Sequence, residues 1–301
     1  MKKVQLLLCL ITGFVLNVGI AHAQNSDSTG LPGDHFSLQG ALEMFKKANS
    51  IEEFEKLINT ESNNVNNLDL NSDGEIDYVS VIDKTEKEVH AFVLQVAVSE
   101  TETQDIAVIE LEKTGDEEAI LQIVGDEEIY GEQVIVEASD GTSGEDENNP
   151  GTNGPSFNYY TSPNIVVNVW LWPSVRFVYR PAYVAWASPW HWRSHPVWWH
   201  PWRPFAWRVF HPRAYRYHPF CRVVHTHRVF AAHRVYTPFR RTSVFVHTRH
   251  ATAVTHYRGS RSIRKVTVSG PRGTRTTTTI RGKDGDVKYK ETKVKGKGRR
   301  G

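Results

Sequence analysis

The chain has 301 residues, with 36 Lys and Arg against 34 Asp and Glu and a formal net charge of +2. That near-neutral sum splits into opposed halves: residues 24–150 carry 31 acids and 6 bases, residues 151–301 carry 3 acids and 28 bases. Segregation on this scale excludes one chemically uniform domain and points to an interaction surface more than to a catalytic pocket.

Lys2 and Lys3, the apolar run over residues 4–20 and Ala21-His22-Ala23 read as a signal peptide, residues 1–23, cleaved before Gln24. The expected location is the periplasm, the outer-membrane surface or the extracellular space. No transmembrane helix is expected after cleavage, because no long apolar run follows. Cys221 is then the one cysteine left, which excludes an internal disulfide.

Residues 24–34 form a polar leader, and residues 35–138 read as an acidic α+β domain with two N-terminal helices and a small antiparallel sheet. Phe36, Leu42 and Phe45 share one apolar face. Ser50-Ile51-Glu52-Glu53 is a capping box, with Ser50 capping the helix and Glu53 reaching back. Phe54, Leu57 and Ile58 continue a helical stripe. After Asp77 the period changes to two: Tyr78, Ser80 and Ile82 alternate with Val79 and Val81, and Phe92, Leu94, Val96 and Val98 line one face. Apolar runs at 106–111, 119–124 and 134–136 are separated by Gly115-Asp116, Gly125-Asp126 and Tyr130-Gly131. Such short connections predict antiparallel neighbours, about five strands in all.

Between helices and sheet lies Asp69-Leu70-Asn71-Ser72-Asp73-Gly74-Glu75-Ile76-Asp77, with oxygen side chains at relative positions 1, 3, 5 and 9 and glycine at 6. Calcium takes six to eight oxygen ligands at ~2.3–2.6 Å, and Gly74 lets the backbone reverse tightly. The pattern resembles the calcium loop of EF-hands and dockerins. That resemblance implies Asp69, Asn71 and Asp73 as side-chain ligands, Glu75 through its carbonyl, and Asp77 directly or through water. Position 12 is Ser80, where an EF-hand has a bidentate Glu, and the segment after the loop reads as strand. The expectation is therefore a weak structural site with a Kd of roughly 10⁻⁴–10⁻³ M. The alternative is a plain hairpin turn at Asp73-Gly74. No phosphate loop, nucleophile elbow or His-Glu-x-x-His motif occurs, so a non-enzymatic role is expected.

A linker at 139–164, rich in Gly, Asn, Ser and acids, leads to residues 165–257, dense in Trp, His, Arg and Pro, and to a basic Gly/Thr tail at 258–301. Residues 165–172 and 174–180 read as strands about Pro173. Proline at 181, 189, 196, 201, 204 and 212 argues against a long helix, so an irregular, strand-poor or partly disordered half is expected. Indole and guanidinium together suit anionic interfaces. The candidates are Trp170, Trp172, Arg176, Arg180, Trp190, Trp192, Arg193, Trp198, Trp199, Trp202, Arg203, Trp207 and Arg208. Suitable partners are lipopolysaccharide, peptidoglycan, an acidic polysaccharide or an anionic membrane surface. Nucleic acid ranks lower because the chain is exported. A competing reading folds the basic half onto the acidic half. Eleven histidines between His191 and His256 offer an alternative transition-metal function, with Zn, Cu or Ni on His191/His195, His225/His227 or His247/His250. In the tail, Gly270-Pro271-Arg272-Gly273 and Gly282-Lys283-Asp284-Gly285 read as turns between Thr/Val strands. In layout the chain resembles secreted bacterial envelope proteins that pair a D-x-N-x-D-G loop with a Trp/His/Arg/Pro-rich second half.

Overall fold

The computed structural model describes residues 28–139 and 166–259, together with the backbone of three strands between residues 262 and 296. Residues 1–27, expected to hold a signal peptide and the start of a polar leader, residues 140–165, expected as linker, and residues 271–272 and 282–286 of the expected tail turns lie outside the described residues.

Helix α1, Leu38–Lys47, starts where Ser37 Oγ accepts from the Gly40 N–H at 2.9 Å. Helix α2, Ile51–Ile58, starts where Ser50 Oγ accepts from the Glu53 N–H at 3.1 Å. The Glu53 carboxylate reaches back one residue beyond the capping box, accepting from the Asn49 N–H at 2.7 Å. Phe45 packs its ring against Phe54 at 5.2 Å and against Phe92 at 5.1 Å, joining the helices to the sheet. The strands β1 (Val79–Glu86), β2 (Val89–Ala97), β3 (Thr103–Gly115) and β4 (Glu118–Gly125) form an antiparallel meander. A short helix, α3 (Glu127–Tyr130), precedes β5 (Val134–Ala138).

The basic half departs from the expected irregular chain. It contains α4 (Pro173–Val178), α5 (Trp207–Tyr215), β6 (Cys221–Val224), α6 (Phe230–Tyr236) and α7 (Val244–Gly259). Strand β6 pairs antiparallel with β5, from Ile135 opposite Val224 to Ala138 opposite Cys221, and completes a six-stranded sheet. The architecture is mixed helix and sheet, but the helices are not confined to the N-terminal end and the sheet is large. Pro173 occupies the first helical position, where its missing N–H and fixed φ cost nothing, so residues read as strand enter α4 instead. Helix α7 runs through a stretch without proline.

Both faces of the sheet are covered, which is why β2 is buried almost throughout instead of alternating. On one face Val79, Val81, Phe92, Leu94, Ile109, Ile123 and Val136 meet α1 and α2. The same core takes in Val169, Trp172, Val175, Val178, Tyr217 and Val246 from the basic half. On the far face Ala91, Val93, Val108, Val124 and Ile135 close against Val224 and Tyr236. Each large apolar side chain buried this way contributes roughly 1.5–3 kcal/mol, enough in sum to order a proline-rich strap. A separate antiparallel sheet is built from β7 (Ser262–Gly270), β8 (Gly273–Arg281) and β9 (Val287–Gly296). Among the described residues no helix is long and apolar enough to cross a membrane.

Candidate functional site

Carboxylates inside the acidic half anchor the basic strap. Buried Glu55 accepts from Trp186 Nε1 at 3.0 Å and Ser188 Oγ at 2.8 Å, and from Tyr78 Oη at 2.8 Å. Asp83 accepts from Tyr183 Oη at 2.8 Å and lies 2.9 Å from His90 Nδ1. Asp105 accepts from Tyr236 Oη at 3.0 Å and from the Arg241 N–H at 2.9 Å. A polar row crosses the far face of the sheet. Glu110 stands opposite Gln122, Gln122 Nε2 donates to Glu137 at 2.6 Å, and Glu137 stands opposite Arg222. Glu137 pairs with Arg222 at 3.1 Å and with Arg228 at 2.5 Å, while His227 and His233 each take one oxygen of Glu110. Arg240 pairs with Asp126 at 2.6 Å. Stripping one partner from such a buried pair costs several kcal/mol, so these contacts fix where the strap lies. Burial pushes the Glu55, Asp105 and Asp126 carboxyls up, Asp105 to about 6.

The 69–77 loop is wired to its own backbone. Asp69 accepts from the N–H groups of Asp73 and Gly74, both at 3.1 Å, and Asn71 Oδ1 accepts from the Asp73 N–H at 2.9 Å. Asp73 accepts from the exposed Glu75 N–H at 2.9 Å. Gly74 takes φ +86°, the left-handed region that favours glycine. Asp77 is buried, and its Oδ2 accepts from the Leu70 N–H at 2.5 Å. Burial, with Asp69 and Asp73 adding repulsion, lifts its carboxyl to about 7. The donor set is all oxygen, the chemistry of a hard cation. Among the described residues, Asp69, Asp73 and Asp77 are not a trio whose oxygens all converge within 4.8 Å. Ser80 Oγ donates to the Gln95 carbonyl at 3.2 Å instead of turning to the loop.

The strap closes over this loop. Ile76 N–H donates to the Trp202 carbonyl at 2.8 Å. A cleft of about 260 Å³ lies between Asn71, Asp73, Asp77 and Ser80 on one side and Trp190, Trp192, Arg193, His195 and Trp199 on the other. Tyr78 and His195 meet the Trp199 ring edge-on at 5.1 and 4.5 Å, and Trp199 Nε1 is buried without a hydrogen-bond partner.

Most of the indoles singled out in the sequence turn inward. Trp172 and Trp199 are buried, while Trp170, Trp190, Trp192, Trp202 and Trp207 are half-buried. Only Trp198 of that group is exposed, with Lys56 5.4 Å from its ring centre. The arginines do the opposite: Arg176, Arg180, Arg193, Arg203 and Arg208 are all exposed. The six candidate histidines do not gather. His191 lies 3.1 Å from the Pro189 carbonyl, His247 lies 2.6 Å from Glu128, His225 is exposed, and His250 Nε2 is buried without a partner. His227 alone of the six joins a cluster whose ligand atoms converge, with Glu110 and His233, among the described residues. Glu110 and His233 were not singled out in the sequence. A lone acid inside the apolar run 106–111 was the signal available for Glu110. Cys221 is a core thiol whose Sγ lies 3.8 Å from the Gln39 carbonyl, and burial pushes it well up.

The fold and site define an α+β protein whose acidic sheet is sealed by its own arginine-rich strap. No family model, curated protein or solved structure matches the chain.

Proposed function

We propose that this is a non-enzymatic exported envelope protein, its acidic half braced by calcium at residues 69–77, its basic strap adhering to anionic cell-surface material. One observation carries the reading. Residues 166–259 contain fourteen arginines, no lysine and no acid. Arg222, Arg228 and Arg240 are ion-paired; the other eleven form no ion pair among the described residues, and all eleven are exposed. Folding onto the acidic half therefore consumes few of the cations. Every exposed large hydrophobic residue among those described also lies in this strap, between Val166 and Phe245, with Leu171, Val184 and Val197 the most open. Guanidinium forks bind phosphate and carboxylate bidentately, and neighbouring apolar groups favour a partner with apolar or ring surfaces. Lipopolysaccharide, peptidoglycan, an acidic polysaccharide and an anionic membrane surface share that chemistry.

Because β6 belongs to the same sheet as β1–β5, the test uses the whole mature chain. Binding to lipopolysaccharide, peptidoglycan and anionic vesicles is measured from low to high salt. Binding at low salt that weakens steeply as the Debye length falls from ~10 Å toward ~3 Å is expected. Exchanging Arg176, Arg203 and Arg208 for Glu should abolish it without lowering Tm. Failure to bind any of the three at low salt removes the proposal.

A further inference from the structure

We infer that Glu110, His227 and His233 form a binding site for a borderline divalent transition metal, of which Zn²⁺ is the type. Glu110 lies in the middle of β3 on the far face of the sheet, its side chain fully enclosed. His227 follows β6 and His233 lies in α6, 117 and 123 residues further along the chain. His227 Nε2 approaches Oε2, and His233 Nδ1 lies 2.8 Å from Oε1. The two imidazoles stand 4.4 Å apart at 76°, and all three ligand atoms lie within 4.8 Å of one another.

Two neutral imidazoles and one carboxylate on three separate elements are a donor set that zinc and its neighbours accept, with bonds of about 2.0–2.2 Å. Replacing the protons between these atoms by an ion asks only for small outward shifts. Glu110 is held by the sheet, so the movement falls to the histidines, whose side chains are 15% and 32% exposed. That opening leaves room for water in a fourth position, as in sites with three protein ligands. The neighbouring cation does not compete, since Arg228 is drawn to Glu137 at 2.5 Å. The site lies on residues different from those of the adhesive surface and of the 69–77 loop, so it stands or falls separately from both.

The test takes the full mature chain, stripped with chelator, and titrates it with Zn²⁺ by calorimetry. One equivalent bound at micromolar Kd or tighter is expected. His227→Gln and His233→Gln should each weaken binding by more than the roughly 10–100-fold that loss of an outer partner costs. His225→Gln, two residues away, should leave it unchanged. Should the variants fail to fold, X-ray absorption of the zinc-loaded wild type decides. A nitrogen/oxygen shell with two imidazoles supports the site; a shell with fewer than two overturns it. No stoichiometric binding, or binding indifferent to both variants, means that the triad is only an ion-pair anchor for α6.

Discussion

Asp105 shows how a single buried side chain sets pH behaviour. Its Oδ2 accepts from Tyr236 and Arg241, and its Oδ1 is buried without a partner. Burial raises its carboxyl from 3.8 to about 6, so folding favours the protonated form. Its contribution is complete below about 3.8 and is lost as pH rises through about 6. His218 works in the opposite sense: burial lowers it from 6.5 to about 4, so its contribution is present above 6.5 and is lost as pH falls through about 4. The two slopes oppose each other over nearly the same window. Asp105→Asn keeps an acceptor for both bonds and never ionises. Urea melts should show it gaining on wild type by on the order of 2 kcal/mol as pH rises from 4 to 7. A difference independent of pH would mean that Asp105 does not titrate there.

The loop and the helices show what local pattern can report. Ser50, read from the sequence as a cap, starts α2 through the Glu53 N–H, and Ser37, which was not singled out, starts α1 in the same way, because a cap is satisfied within four residues. The Asp loop is equally local, and its turn is held by its own side-chain-to-backbone hydrogen bonds. Calcium is therefore expected to add to the turn. Wild-type Tm should rise in calcium, by an amount matching up to about 2.7 kcal/mol at a hundredfold excess over Kd. Asp69→Ala and Asp73→Ala should lower Tm more in calcium than in chelator. Equal losses in both conditions would leave the turn as the whole role of these carboxylates. The segment around Pro173 went the other way, since strand-like composition does not reveal that proline stands at a helix start.

At the scale of the molecule, the opposed halves depend on each other. A chain ending at residue 139 would expose Ala91, Val93, Val108, Val124 and Ile135, strip Glu110 of His227 and His233, and leave Glu137 without Arg222 and Arg228. Such a fragment should aggregate or melt without cooperativity by circular dichroism; a soluble fragment with a sharp transition would show that the acidic half folds alone. The amino-acid order by itself determined the start of α2, the strand periods, the all-oxygen loop and the partition of charge, because each depends on neighbours a few residues apart. Tertiary structure alone decided which carboxylates take strap partners, why most of the indoles turn inward while most of the arginines face water, and how Glu110 meets His227 and His233. Those outcomes depend on burial and charge matching between groups 85 or more residues apart, and a buried carboxylate accepts whichever partner the packed chain delivers to it.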